Sequence, residues 1–167
     1  LNWRLTQSSL NGRYPRAHDA TAFPCDFVLG ALMAVRREAY EATGGFDPAY
    51  FMYVEEVDWC RRLGTQGWEV WHLPGAVATH HAGQSTRTVA GRMFVELHRS
   101  RLRYYRRHWA PIAVAAARAI TWVGCWTRAR RARRDGGPDA DALIRACHEV
   151  MRMVAPGGNP TDHRADA

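Results

Sequence analysis

Apolar and polar positions come in blocks along this chain, and the blocks predict its elements. Residues 1 to 24 are polar, with Asn11-Gly12, Pro15 and Pro24 as turn signals, and are expected to form a loop. Phe27 to Val35 is a continuous apolar run of strand length. Such a run implies burial on both faces, so it is expected inside a sheet. Arg36 to Thr43 has the pattern of a short helix, with Gly44-Gly45 as its stop. After a turn at Asp47-Pro48, the aromatic stretch Tyr50-Phe51-Met52-Tyr53 leads into a helix over Glu55 to Gln66. Its acidic first turn and later Arg61-Arg62 complement the helix dipole, and Gly67 closes it. Glu69 to Leu73 and Ala76 to Thr79 are expected strands around a Pro74-Gly75 turn, and His80 to Thr88 is a polar loop.

The pattern changes character in the C-terminal half. Residues 89 to 108 predict a basic helix with Phe94, Leu97, Leu102 and Tyr105 as its apolar stripe. Residues 109 to 127 are apolar and rich in Ala and Trp, interrupted by Arg118 and followed by the cluster from Arg128 to Arg134. A spanning helix needs about 20 largely uncharged residues. Arg118 at the middle favours a helix lying in the membrane interface over one that crosses. Asp135-Gly136-Gly137-Pro138 is a break, Asp139 to Val154 a last amphipathic helix, and the tail from Ala155 is expected to be disordered. There is no internal repeat.

Composition narrows the class. At 167 residues, 47% hydrophobic and 23% charged, the chain reads as one globular domain of ordinary size rather than a disordered one. The formal charge is +7 and every basic residue other than His is Arg. The plainer reading of that bias is GC-rich coding, not a physical need for guanidinium. The placement of the charge, concentrated from Arg99 to Arg134, is more telling. It would be drawn to phosphate, in nucleic acid or at an anionic membrane surface. Cys25, Cys60, Cys125 and Cys147 are widely separated, which argues against a zinc ribbon or a disulfide framework and for free thiols in a reducing compartment. No secretory signal opens the chain, which begins at Leu1.

The candidate chemistry lies at Glu55, Glu56 and Asp58. Acidic residues favour helix N-termini, so three carboxylates there have an ordinary structural explanation. Their position directly after an aromatic stretch suggests a partly apolar site instead. Adjacent carboxylates in such a site raise one another's pKa, which suits a general base near neutral pH. His80 and His81 sit where an expected strand opens into a loop. A histidine there is more often structural, and becomes a credible metal ligand only beside carboxylates from elsewhere.

Several ordered motifs carry a resemblance. Phe27-Val28-Leu29-Gly30-Ala31, Arg36-Arg37-Glu38-Ala39, Gly44-Gly45-Phe46-Asp47 and the run Phe51 to Arg62 resemble the second half of family-2, GT-A-fold glycosyltransferases, rhamnosyltransferase-like and galactofuranosyltransferase-like members above all. Gly67-Trp68, Pro74-Gly75-Ala76 and His80 to Ser85 continue the match, which covers residues 25 to 108. The resemblance implies an α/β fold: the acceptor-side, C-terminal part of a GT-A mixed sheet with flanking helices, followed by a helical extension. It divides the chain into residues 1–108, the acceptor-side half; 109–134, a basic apolar membrane-associating helix; and 135–167, a last helix and tail.

The resemblance further implies inverting transfer from a nucleotide-sugar donor to a glycan or lipid-linked acceptor, with a divalent cation, Mg2+ or Mn2+, as cofactor. Glu55-Glu56 occupies the place of the family's Glu-Asp or Asp-Asp pair, whose second member is usually the base, so Glu56 takes that role. Glu at this position, where the family usually has Asp, is a departure from the pattern. Glu55 and Asp58 would orient the acceptor or the helix. His80 matches the position of a C-terminal metal ligand. Gly30, Gly45 and Asp47 would line the acceptor pocket, although Gly44-Gly45 and Asp47 also read as a helix stop and a turn. Arg87 lies on a loop that would close over the donor diphosphate, or is a solvated loop charge. Trp59 and Trp68 are expected in the core. Rhamnose from a dTDP donor is the implied sugar, and the inner face of the cytoplasmic membrane the implied location.

Nothing in the chain matches the nucleotide-binding half with its Asp-x-Asp motif, since Asp139-Ala140-Asp141 lies far downstream. The chain is therefore expected to be a fragment or a truncated gene product that transfers no sugar alone. Two other readings stand beside this one. A remnant glycosyltransferase half could bind a glycan without catalysis, or pair with a separate donor-binding chain. A nucleic-acid-binding protein is the reading suggested by the Arg cluster, but Arg flanking an Ala/Trp apolar segment suits a membrane surface better, so no nucleic-acid partner is expected.

Overall fold

A computed structural model describes residues 21–79 and 89–158 of the chain. These residues form two compact units. The first holds the described residues up to Pro48 and from 55 to 79, and the second holds Ala49–Val54 and the described residues from 89 onward.

In the first unit, β1 (Phe23–Pro24) and β2 (Trp71–His72) pair antiparallel, Phe23 opposite His72 and Pro24 opposite Trp71. The Phe23 and His72 rings lie 5.0 Å apart, and Cys25 N–H donates to Val70 O at 2.9 Å to continue the pairing. Two helices follow the expected pattern, α1 (Arg37–Thr43) and α2 (Glu55–Thr65). α1 ends at Gly44 in the left-handed region (φ 74°), whose N–H bonds Tyr40 O, the stop that the Gly-Gly pair predicts. Ala39, Trp59 and Leu63 form the core between the helices, with Met33 and Trp68 packed against it. Trp59 stands edge-on to Tyr40 and Phe46, at 6.0 and 5.0 Å, and donates from its indole N–H to Thr43 Oγ1 at 2.7 Å. The core role expected of Trp59 and Trp68 holds.

The expected strand over Phe27 to Val35 is not formed. This stretch has no regular structure apart from a turn near Gly30, and Leu29, Leu32 and Val35 are exposed. A run buried on two faces needs neighbours on both sides, and the described sheet has two short strands only. Met33 alone in this run reaches the core, through α1 and α2. The strand expected over Glu69 to Leu73 shrinks to Trp71–His72, and Ala76 to Thr79 forms none. The described part is thus mostly helical, without a mixed sheet.

The second unit is built on α3 (Ala90–His108), α4 (Pro111–Asp135) and α5 (Ala140–Val154). Pro111 at the first position of α4 and Gly136 just past its end fit the usual distribution of these residues at helix ends. Val95, Leu102, Cys125, Cys147 and Val150 lead a single core shared by all three helices. The buried face of α3 differs from the expected stripe: it includes Glu96 and Ser100. Glu96 pairs with Arg99 at 3.3 Å, and Arg99 reaches Glu149 of α5 at 3.6 Å. Ser100 donates to Met52 O at 2.7 Å, while Arg92 and Arg103 lie over the Phe51 and Tyr50 rings. Those contacts pin the segment Ala49–Val54 onto α3. All four cysteines are free, and Cys60, Cys125 and Cys147 are buried. Among the described residues no helix is long and apolar enough to cross a membrane.

Candidate active site

α2 begins with its acidic residues, and the backbone just before it is unusual. Tyr53 and Val54 both adopt positive φ, 69° and 70°. A β-branched residue seldom occupies that region, and such strain concentrates at functional sites. From this start the carboxylates of α2 diverge.

Glu56 is partly buried against the loop that carries Gly30. A Cβ on Gly30 would lie 3.5 Å from Glu56 Cβ and 3.9 Å from its carboxyl carbon, so the bare backbone of residue 30 forms one wall of the site. Burial is the main cause that raises the Glu56 carboxyl above its ordinary range. Its own backbone N–H works against that, and the neighbouring charge of Glu55 adds to it. Glu55 is half-buried, with Oε2 enclosed and without a hydrogen-bond partner among the described residues. Beneath Glu56 lies Cys60, which sequence reasoning did not connect to the site. Its thiol pKa is raised by burial and by Glu56, and lowered by a hydrogen bond with the Val28 backbone. The i,i+4 spacing of Glu56 and Cys60 was the available signal.

Asp58 points elsewhere. It is fully buried and bonds Arg62 Nε at 2.8 Å, the i,i+4 pair of the helix. Arg62 in turn donates to Thr43 O at 2.6 Å and to Gly45 O at 2.5 Å, fastening the end of α1 to α2. Gly45 is buried at φ 72°, and a Cβ there would meet the Tyr40 ring at 2.6 Å. Asp47 is partly buried in the turn that follows. The structure thus brings Glu56 against Gly30, with Glu55 beside Glu56 on α2, and gathers Asp58 and Gly45 at the α1–α2 junction. His80 and Arg87 lie outside the described residues. Among the described residues no group of three or more His, Cys, Asp or Glu could hold a metal ion. The described residues alone do not assemble a site for the divalent cation that the resemblance implies.

A partly buried carboxyl of raised pKa beside a bare backbone wall has the character of a proton acceptor. A stretch of 63 residues is 44% identical to N-acetylglucosaminyl-diphospho-decaprenol L-rhamnosyltransferase of two Mycobacterium tuberculosis strains, covering 38% of this chain and 20% of the relative. A stretch of 82 residues is 34% identical to Rhamnosyltransferase WbbL of Escherichia coli, covering 49% of this chain and 31% of the relative. The matches therefore span between a fifth and a third of the length of these curated relatives. No solved structure matches the chain. Residues 12–127, well over half of the chain, match the domain described as Glycosyltransferase like family 2, and the chain belongs to that family, whose fold is the α/β GT-A fold.

Proposed function

We propose that this chain is the acceptor side of an inverting glycosyltransferase in which Glu56 is the general base. An acceptor hydroxyl over Gly30 attacks the anomeric carbon of a nucleotide-diphosphate sugar. As the new C–O bond forms, Glu56 takes the hydroxyl proton. The bond from the anomeric carbon to the diphosphate breaks, and the nucleoside diphosphate leaves with that electron pair. Glu55 and Asp47 orient the acceptor, and Arg87 meets the diphosphate. The names of the relatives support a rhamnosyl donor and a lipid-linked, diphosphate-bearing acceptor. The observation that carries the proposal is the carboxyl of Glu56, raised in basicity by burial at the start of α2 and faced by glycine rather than a side chain.

The test is Glu56→Gln in this protein, assayed with dTDP-rhamnose and a lipid-linked N-acetylglucosamine acceptor. Loss of a general base is expected to lower kcat by about 10²–10⁴-fold with little change in KM. Undiminished turnover would remove Glu56 from the role.

Membrane attachment is the second part of the proposal. α4 presents Ile112 and Ile120 to solvent, 80% and 74% exposed, together with Val123 and Trp126, and the Arg cluster from Arg128 follows on the same helix. An exposed apolar face next to basic residues suits peripheral binding to an anionic leaflet.

A further inference from the structure

The apolar stretch of α4 carries one charge, Arg118, and the fold gives it partners at the end of another helix. Its Nε donates to Val154 O at 2.9 Å and its Nη2 donates to Ala155 O, so the guanidinium caps the C-terminus of α5. Arg118 lines a groove of about 770 Å³ together with Arg106, Trp109, Val114 and Trp122. Arg106 donates to Gly158 O at 3.2 Å. The two guanidiniums stand close enough to oppose each other: partial desolvation first, and the charge of Arg118 second, lower the pKa of Arg106. No Asp or Glu is among the described residues lining the groove.

Two like charges satisfied by carbonyls alone, beside an apolar trough, leave positive charge without an anion. The trough is long in carbon and short in polar groups, so the missing anion should carry an apolar chain. Its volume falls within the range of about 300–1,000 Å³ that holds small ligands. We propose that this groove binds a single phosphate-headed lipid, the head group on Arg106 and Arg118 and the chain against Trp109, Val114 and Trp122. This is a discrete site, beyond general attachment to a charged surface, and it does not depend on the transfer reading.

The experiment is calorimetric titration of the full chain with decyl phosphate below its micellar concentration, set beside decyl maltoside and inorganic pyrophosphate. Saturable one-to-one binding of decyl phosphate is expected, with both other probes at least about tenfold weaker. Arg106→Gln should weaken it by a similar factor. Ala119→Trp, at an exposed groove position, should abolish it while circular dichroism and Tm stay as in the parent. Equal binding of the maltoside would reduce the groove to an apolar surface, and equal binding of pyrophosphate would reduce it to a bare anion site. Either result overturns the proposal, as does binding without saturation or full binding by a folded Ala119→Trp chain. The three-probe comparison uses the parent chain and decides the matter even where a variant fails to fold. Vesicle binding that survives loss of this site would leave membrane attachment standing.

Discussion

Glu56 is held in an environment that works against its own charge. In the folded chain its pKa lies above the ordinary 4.5, with burial as the largest cause. The native state therefore holds more protons than the unfolded state in the pH window above that value. Stability falls as pH rises through the window. Glu56→Gln, neutral throughout, is expected to raise Tm at neutral pH, and the gain should fade as pH is lowered to 4.5 and below. Calorimetric scans across that range check the sign. A substitution that stabilises while it lowers turnover marks a residue kept for function. The paired carboxylates and their helix start were legible in the sequence, as was the direction of the shift. The sequence could suggest neighbouring charge as the cause, whereas the structure puts burial first. The left-handed backbone at Tyr53 and Val54 had no signal, because neither residue type favours that conformation.

At the scale of elements, the α1–α2 junction depends on the pair Asp58–Arg62. Asp58 is fully buried, and Arg62 spends its remaining donors on Thr43 O and Gly45 O. Removing one partner of a buried ion pair typically costs about 3–5 kcal/mol. Asp58→Asn is expected to destabilise the chain toward the lower end of that range, measured by urea denaturation. If Asp58 contacts the acceptor instead, KM should rise while stability is kept. The i,i+4 spacing made the pair visible from sequence, but its burial was not, because that depends on where α1 ends. Helix bounds were the most legible feature. α2 to α5 lie within a residue or two of the periodic segments, since Gly, Pro and Asp mark their ends. Strands were the least legible. An apolar run such as Phe27 to Val35 reports only a preference for burial, and a strand also needs a ladder partner.

On the scale of the molecule, α4 belongs to the core of its unit as well as to its surface. Cys125 and Ala129 are buried against α5, and Cys125 has its thiol pushed up to about 11 by burial first. Deleting residues 109–134 would therefore remove core as well as surface. The membrane reading is better tested by Ile112→Ser, Ile120→Ser and Val123→Ser together, all on exposed positions. The triple variant is expected to keep its helicity and lose sedimentation with anionic vesicles. The parent chain should bind those vesicles more tightly than duplex DNA at the same salt, and the reverse order would favour the nucleic-acid reading. The sequence took Arg118 as the feature that keeps the helix in the interface, yet its guanidinium reaches the end of α5, a partner that linear hydropathy does not contain.

The two units also exchange chain. Ala49–Val54 counts with α3, although the residues on both sides of it belong to the first unit. A chain severed after Ala82 would thus yield an N-terminal piece still carrying part of the helical fold, seated there by Ser100, Arg92 and Arg103. The connectivity is that of a ready-made split protein, in which two fragments meet along a seam inside one unit and reassembly reports on that seam.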